Sequence, residues 1–292
     1  MRYEIQPKDE GLKIRDVLKR RMGFSTRLTR KLKEEGGVFL DGEERWLNVP
    51  VRQGQLLEVR FPEETSYFEP QEIPLDIRME DEDLLILNKQ PGIVVHPTKG
   101  HPADTIANGL AFYMQQKGES WKIRFVNRLD MDTSGLLIVS KNAFSQERLQ
   151  QQMKDGTIVK KYMAVVDGIL EEEEGVIDLP IGLIGENEVG RCVRPDGYPS
   201  VTKYKKILEI GKERTLAELT LETGRTHQIR VHMSHIGHPV TGDSLYGKAQ
   251  PELIGRQALH AWSLSFDHPT ADRRIEITAE IPEDMEKLCV KK

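Results

Sequence analysis

The first sixty residues show two helical patterns followed by strand patterns. Apolar residues recur at helical spacing in two stretches, which comprise Leu12, Ile14, Val17 and Leu18 and then Leu28 and Leu32. A glycine pair predicts the end of the second helix, and apolar runs at residues 38–40 and 56–61 predict strands after it, the first leading into a turn at Asp41-Gly42. We therefore predict a small α/β unit over residues 1–65.

A linker at about residues 62–72 separates this unit from a larger domain, which we predict over residues 73–292. Apolar runs typical of strands occur at residues 84–87, 93–95, 136–139 and 158–166. Residues 215–222 alternate strictly between apolar and polar, as in a half-buried antiparallel strand. Helical patterns occur at residues 104–115, 143–153 and 226–236. Because strands and helices do not alternate regularly, we predict an α+β fold with a mixed or antiparallel sheet.

The charge distribution sets the front of the chain apart. Between Gly11 and Lys33 nine residues are Lys or Arg and only Asp16 is acidic, although the whole chain has a net charge of −5. A short positive segment on a negative body is typical of contact with a polyanion such as RNA. It is equally typical of a solvated helix face, and the charge pattern alone leaves both interpretations open.

Composition excludes several classes of protein. The 292 residues are 38% hydrophobic and 30% charged, which predicts a globular chain with a sizeable core. No apolar run approaches the roughly 20 residues that a membrane helix needs, and the first residues do not resemble a signal peptide, so we expect a cytoplasmic protein without membrane association. Cys192 and Cys289 have no metal-ligand spacing, and that compartment argues against a disulfide between them.

Two stretches could provide chemistry. Arg128 and Asp130 precede a polar turn that leads into a strongly apolar strand, and by themselves such residues could simply shape the turn. Arg225 and Arg230 belong to a second stretch, which begins at Gly224 directly after the alternating strand. Arginines at a helix start can bind phosphate or pair with a distant carboxylate.

Together these stretches resemble the RluA-type family of pseudouridine synthases. That family has Arg-Leu-Asp before Thr-Ser-Gly-Leu-Leu and a later Gly-Arg-Thr-His-Gln-Ile-Arg, and both occur here, at residues 128–137 and 224–230. Three further family motifs match at residues 160–166, 238–247 and 259–266. The resemblance extends from about residue 75 to 282, and the front unit resembles the small S-four-like RNA-binding domain that often precedes this catalytic domain.

The resemblance implies an isomerase that converts specific uridines of structured RNA to pseudouridine. It implies a reaction that needs no cofactor, and it favours large-subunit ribosomal RNA as the substrate. Nothing in the sequence demands more than a monomer. Asp130 would be the catalytic carboxylate, acting either as a nucleophile or as a base. Arg230 would keep it charged, with Arg225 as a weaker candidate, and Tyr162 would lie against the target base.

The resemblance also implies contacts with RNA. Arg128 would hold the flipped nucleotide or fill the gap that it leaves, and Arg225 would face the RNA. In the front unit, Arg27, Arg30 and Lys31 would bind phosphates. One departure from the family is Asn127, which stands where a His usually precedes the Arg-Leu-Asp; since Asn cannot titrate and the chemistry is assigned to the Asp, we expect activity to survive.

Two alternatives compete with this interpretation. Four histidines between His227 and His238 suggest a metal site, but neither a cysteine nor a His-Glu pair accompanies them, so we expect no metal. The stronger alternative is an RNA-binding ribosome assembly factor with a degenerate synthase domain. The basic front unit would serve that role equally well, and Asn127 favours it, whereas the presence of Asp130, Tyr162 and Arg230 favours catalysis.

Overall fold

A computed structural model describes residues 1–61, 64–185 and 190–290 of the chain. Its α-helices are α1 (Ile14–Arg20), α2 (Thr26–Glu35), α3 (Ile106–Lys117), α4 (Ala143–Asp155), α5 (Gln228–His235) and α6 (Glu283–Cys289). Its strands are β1 (Arg2–Glu4), β2 (Val38–Leu40), β3 (Glu43–Glu44), β4 (Leu56–Val59), β5 (Asp76–Glu80), β6 (Leu84–Lys89), β7 (Arg124–Phe125), β8 (Ser134–Ser140), β9 (Val159–Asp167), β10 (Glu174–Asp178), β11 (Ile181–Leu183), β12 (Arg191–Val193), β13 (Val201–Ile210), β14 (Arg214–Leu221), β15 (Leu259–Asp267) and β16 (Arg274–Thr278). None of the helices in these described residues is both long and apolar enough to cross a lipid bilayer.

The front of the chain folds around a small antiparallel sheet with strand order β1-β4-β2-β3. Helix α2 begins at the Ser25 side chain, which accepts a hydrogen bond from the Leu28 amide at 3.0 Å, and it ends at Gly36, whose φ of 82° only glycine adopts easily. Buried side chains of α1 and α2, including Val17 and Leu32, pack with those of the sheet. Both predicted helices and the predicted turn are present.

A ten-stranded sheet forms the larger part of the molecule, as the α+β prediction requires. Its main path runs β10-β13-β14-β9-β15-β8-β6-β5, with β16 beside β15 and β7 beside β8. All of these pairs are antiparallel except β8 with β15, which is parallel, so the sheet is mixed. Strand β8 is buried at all seven positions, which explains why its sequence is apolar without alternation. Strands β8, β9 and β15 therefore bring distant parts of the chain together at the centre of the sheet.

Two local predictions were wrong. Residues 93–95 do not form a strand, and Val94 makes a single bridge with Thr105. The carbonyls of Val94 and Val95 accept hydrogen bonds from the first amides of α3 at 3.0 and 3.1 Å, and Lys89 binds the carbonyl of Ile93 at 3.0 Å. Helix α5 begins at Gln228 and not at residue 226, because His227 adopts a left-handed backbone conformation with φ of 56°.

The predicted linker lies against the larger domain. Pro62 and Glu63 fall outside the described residues, but the Glu64 carboxylate pairs with Arg124 and with Lys31 of α2. Beyond it, Phe68 packs against the main core. The segment therefore joins the front unit to the large sheet through specific contacts.

The two predicted domains also share an aromatic contact. Phe144, at the start of α4, is 2% exposed and belongs to the hydrophobic core of the front unit. Its ring centroid lies 4.7 Å from that of Phe24, and Phe61 lies on the same cluster. Nearby, the Ser25 hydroxyl donates to the Glu147 carboxylate at 2.7 Å. The front unit is thus docked on helix α4.

Candidate active site

One cleft of about 1380 Å³ collects most of the residues that the sequence predicts to be functional. Its lining includes Asp130, Tyr162, Arg230, Arg128 and Arg225 from the large domain and Arg27 and Lys31 from the front unit. Arg30 does not line this cleft, since it lies in a neighbouring groove and pairs with Glu34 at 3.0 Å. The cleft therefore extends from helix α2 across the face of the sheet to the start of α5.

Asp130 lies in the turn that leads into β8. Its carbonyl accepts a hydrogen bond from the Thr133 amide at 3.1 Å, which closes the turn, and its side chain is 28% exposed. After the turn, Gly135 pairs with Ala261 of β15 and has φ of 112°. A Cβ at Gly135 would lie 2.2 Å from the Ala261 carbonyl oxygen, so this close approach requires glycine. The glycine of the Thr-Ser-Gly motif therefore allows the close strand contact that positions the Asp130 turn on the sheet.

Arg230 lies between two carboxylates. Its Nη1 donates to Asp130 Oδ2 at 3.1 Å, while its Nε and Nη2 bind the two oxygens of Asp243 at 2.6 and 2.9 Å. Asp243 is fully buried and also accepts the backbone amides of Leu245 and Tyr246. Both carboxylates raise the pKa of Arg230 against the effect of its burial, so the guanidinium stays charged.

His227 lies beside the carboxylate of Asp130, and Tyr246 lies beside His227. The Tyr246 hydroxyl accepts the backbone amide of Arg191 at 2.9 Å and can donate its own proton to His227 Nδ1 at 2.7 Å. That arrangement places the imidazole proton on Nε2, which faces Asp130 Oδ2 at 3.8 Å. Burial lowers the pKa of His227, partly opposed by the charge of Asp130, so its ring is neutral near pH 7.

Tyr162 extends from β9 onto the cleft. It is 7% exposed, and burial together with the negative charge of Asp130 raises the pKa of its hydroxyl. The side chain is therefore a neutral phenol with an apolar ring at all physiological pH values. Such a ring can stack on a base but cannot serve as a phenolate base.

Two exposed arginines of the large domain line the cleft, and no hydrogen bond or ion pair joins either of them to Asp130 among the described residues. Arg128 is exposed and lines the cleft beside it. Arg225 donates from Nε to the Pro199 carbonyl at 3.2 Å and lies over the ring of Tyr198, 5.5 Å from its centroid. Within the described chain, the arginine that pairs with Asp130 is Arg230, so Arg225 was a wrong alternative for that role.

The side chain of Asn127 has a structural role, in which its oxygen and its nitrogen each form a hydrogen bond with β8. Its Oδ1 accepts the amide of Ile138 at 2.8 Å, and its Nδ2 donates to the carbonyl of Leu136 at 3.2 Å. The side chain thus pairs with β8 in the way a neighbouring strand would. This position needs one donor and one acceptor and no titration.

Sequence analysis did not identify three residues of this region. Asp243 belongs to a loop that matched the family, but no local pattern indicates that it binds Arg230. Lys89 is 1% exposed and donates from Nζ to the carbonyls of Gln90, Ile93 and Met131 at 2.8–3.0 Å, while burial lowers its pKa to about 7. Lys160 is 7% exposed and lines the cleft.

Among the described residues, the four histidines that suggested a metal site do not form a group with closely spaced ligand atoms. His232 is buried and contacts the Thr202 hydroxyl and the Leu179 carbonyl, each at 2.9 Å. Elsewhere, ligand atoms of Asp81, Asp83 and His268 lie within 4.8 Å of one another. His268 Nε2 is bound to Asp81 at 2.9 Å, so protein groups already bind one another there.

Comparison with known families gives one match over the centre of the chain. Residues 83–235 match the model of the family described as RNA pseudouridylate synthase. This range contains Asp130, Tyr162 and Arg230. It ends within α5 and so leaves out Asp243.

Curated relatives match over most of the chain. An uncharacterised RNA pseudouridine synthase of Bacillus subtilis is 43% identical over 272 residues, which cover 91% of this chain and 95% of the relative. The ribosomal large subunit pseudouridine synthase D of Escherichia coli is 42% identical over 239 residues, which cover 77% and 73%. Among solved structures, human RNA pseudouridylate synthase domain containing 1 is 28% identical with a TM-score of 0.58, covering 71% of this chain and 83% of that one.

Proposed function

The chain belongs to the RNA pseudouridylate synthase family and is an isomerase that acts on RNA, and from that premise we propose that Asp130 is its catalytic carboxylate and that its substrate is large-subunit ribosomal RNA. The observation that supports the first part is the contact of Asp130 with Arg230 at 3.1 Å on the wall of the cleft. This carboxylate is partly exposed beside a permanent cation, so a substrate in the cleft can reach it.

The reaction balances without a co-reactant. The bond between C1′ of the ribose and N1 of uracil breaks, the base turns, and a bond forms between C1′ and C5. The proton on C5 leaves, and N1 gains a proton. An ionised Asp130 can begin this sequence as a nucleophile at C1′ or as a base that removes a sugar proton.

Asp243 supports either role of Asp130. Its carboxylate binds two nitrogens of Arg230, so the charge of the guanidinium is balanced even when Asp130 changes partner. If Asp130 bonds to the sugar or takes up a proton, it loses its negative charge. Arg230 then remains paired, and the enzyme avoids the cost of a buried unpaired cation.

Tyr162 and Arg128 fit the handling of the target base. The target uridine must leave its stack to reach Asp130, at a cost of a few kcal/mol. The apolar ring of Tyr162 offers a stacking surface worth roughly 1–3 kcal/mol inside the cleft. Arg128 is exposed on the cleft wall, where it can hold the flipped nucleotide or replace it in the helix.

The front unit provides part of the RNA-binding surface in this proposal, as an S-four-like domain. Arg27 lines the cleft without an acidic partner among the described residues, so its charge is available to phosphate. Lys31 lines it too but pairs with Glu64 at 2.9 Å, and Arg30 pairs with Glu34. Arg27 is therefore the strongest phosphate ligand of the three.

Further observations support the proposed RNA substrate and the proposed location in the cytoplasm. Large-subunit ribosomal RNA is proposed because the Escherichia coli relative is named for that substrate. Cys192 and Cys289 are free thiols, which fits the reducing cytoplasm.

The alternative of a binding-only assembly factor was favoured by Asn127. Asn127 bonds to β8 through both ends of its amide, which is a structural role that does not depend on a loss of catalysis.

A pseudouridine map of total RNA tests the proposal. Cells that lack the protein are complemented with the wild type or with Asp130→Asn, which keeps the side-chain shape but removes the charge. We expect at least one site in large-subunit ribosomal RNA to disappear on deletion and to return with the wild type alone. Restoration by both proteins would remove Asp130 from the chemistry. An unchanged map, together with a ribosome assembly defect, would support the assembly factor instead.

A further inference from the structure

Lys160 is a largely buried cation in the cleft for which the described residues provide no counter-charge. It is 7% exposed, lies on β9 two residues before Tyr162, and lines the cleft. Among the described residues, no carboxylate, carbonyl or hydroxyl lies within hydrogen-bonding or ion-pairing distance of its Nζ. Its side chain is largely buried, but the ammonium opens on the cleft, so the unpaired charge is available to an anion that enters there.

The neighbouring lysines show that this arrangement is specific to Lys160. The ammonium of Lys161 points to the other face of β9 and pairs with Glu218 at 2.9 Å. Lys89, which is more deeply buried at 1% exposed, donates to three backbone carbonyls. In contrast, burial alone lowers the pKa of Lys160, with no nearby charge acting against it.

The position of the ammonium fits the path of an RNA strand. A Cβ built at Gly224 would lie 3.5 Å from Lys160 Nζ, so the ammonium faces the loop between β14 and α5. That loop carries Arg225, and both residues line the cleft together with Tyr162 and Asp130. An RNA bound with its target base on Tyr162 therefore has its backbone within reach of Lys160.

We propose that Lys160 binds a phosphate of the RNA backbone next to the target nucleotide. This inference rests on the proposed function and adds to it the group of the RNA that Lys160 binds. A phosphate fits better than a base carbonyl because a full charge in a buried site needs an opposite charge, and phosphates are the anions of RNA. Binding then converts an unfavourable unpaired charge into a charge-assisted hydrogen bond.

The test compares Lys160→Met with Lys161→Met, a matched control on the adjacent residue. The probe is a labelled fragment of large-subunit ribosomal RNA that contains the uridine found by the pseudouridine map. We expect Lys160→Met to weaken RNA binding about tenfold or more and to reduce the slope of log affinity against log salt by about one. Lys161→Met should bind as the wild type does, and Lys160→Arg should restore much of the affinity.

Stability of the free enzyme provides a second readout that a purely structural lysine would not give. Because Lys160→Met removes an unpaired buried charge, we expect its Tm to rise by a few degrees while its affinity for RNA falls. Inorganic phosphate should raise the Tm of the wild type more than that of Lys160→Met.

Several outcomes would overturn the proposal. Wild-type affinity in Lys160→Met would show that the ammonium does not contact RNA. A loss of affinity that is independent of salt would indicate a neutral acceptor such as a base carbonyl. Equal protection of both proteins by phosphate would exclude an anion site at this position. All three can occur while the wild type still forms pseudouridine, whereas failure of the proposed function appears as a wild type without activity.

Discussion

At the residue scale, the two carboxylates that bind Arg230, those of Asp243 and Asp130, differ in their burial and in the hydrogen bonds that they accept. Asp243 is fully buried and accepts four hydrogen bonds, from two nitrogens of Arg230 and from two backbone amides. Asp130 has an exposed edge and a single contact with the guanidinium. The first carboxylate is therefore needed for the fold of the site, and the second is free to react.

This difference predicts opposite effects for two substitutions of the same kind. Asp243→Asn leaves Arg230 without its buried counter-charge, so we expect the free energy of unfolding to fall by about 3–5 kcal/mol. Asp130→Asn should change it by less than about 1 kcal/mol, since that side chain is partly solvated. Denaturant unfolding of both variants measures this, and equal losses in the two would contradict the assigned division of roles.

The three residues that we propose to be catalytic and the residues that support them differ in how far sequence could predict them. Asp130, Tyr162 and Arg230 stand in motifs, and the structure brings all three into one cleft. Asp243 was not predicted because its partner is 13 residues away along the chain, on a helix, and nothing local to the loop indicates the contact. Lys160 was not predicted as a ligand because its proposed role depends on its burial, which the residue type does not indicate. The neighbouring Lys161 is also a lysine, but it forms a partly exposed ion pair.

At the element scale, the parallel contact between β8 and β15 determines where Asp130 lies. Sequence predicted β8 from its apolar run, but not its partner, because strand pairing across more than a hundred residues leaves no periodic pattern. Strands β10 to β13 were likewise missed; most of the β13 side chains are exposed or half-buried, so it lacks a continuous apolar run. Helix α4 and strand β14 were predicted well because their patterns are long and regular.

The close approach at Gly135 gives a prediction for this contact. Gly135→Ala places a Cβ 2.2 Å from a β15 carbonyl oxygen at positive φ, so the strands must move apart. We expect a loss of roughly 2–4 kcal/mol in stability and a large loss of activity. Gly211→Ala is the control, because it has φ of 63° but no atom within 4 Å of its Cβ, and it should cost only about 1–2 kcal/mol. Equal losses in the two variants would mean that the β8–β15 contact has no special role.

At the scale of the whole molecule, the cleft is lined by residues of the front unit and of the large sheet with its helices, and contacts among the described residues join these parts. The Glu64 carboxylate links Lys31 of the front unit to Arg124 of the large domain. Phe144 enters the core of the front unit from α4. Sequence could predict a linker at this place but not its ion pairs, since they join residues that are far apart in the chain.

The same arrangement ranks the basic residues of α2 for RNA binding. Arg27→Gln should weaken affinity and lower the salt slope by about one, because Arg27 lines the cleft and is not engaged by an acid among the described residues. Arg30→Gln should have a smaller effect, since Arg30 lies outside the cleft and pairs with Glu34 at 3.0 Å. Binding titrations at several salt concentrations measure both, and a larger effect of Arg30→Gln would contradict the position of the RNA at α2.

The position of Phe144 has a consequence for the exchange of domains between proteins. A front unit cut out at residue 65 would lose a ring that fills its own core, and a large domain left alone would expose that ring to water. The two parts are therefore not interchangeable modules, although their sequences divide cleanly. A chimaera between relatives must inherit the first turn of α4 together with the front unit, and during divergence a change in Phe24 or Phe61 selects for a compensating change at residue 144.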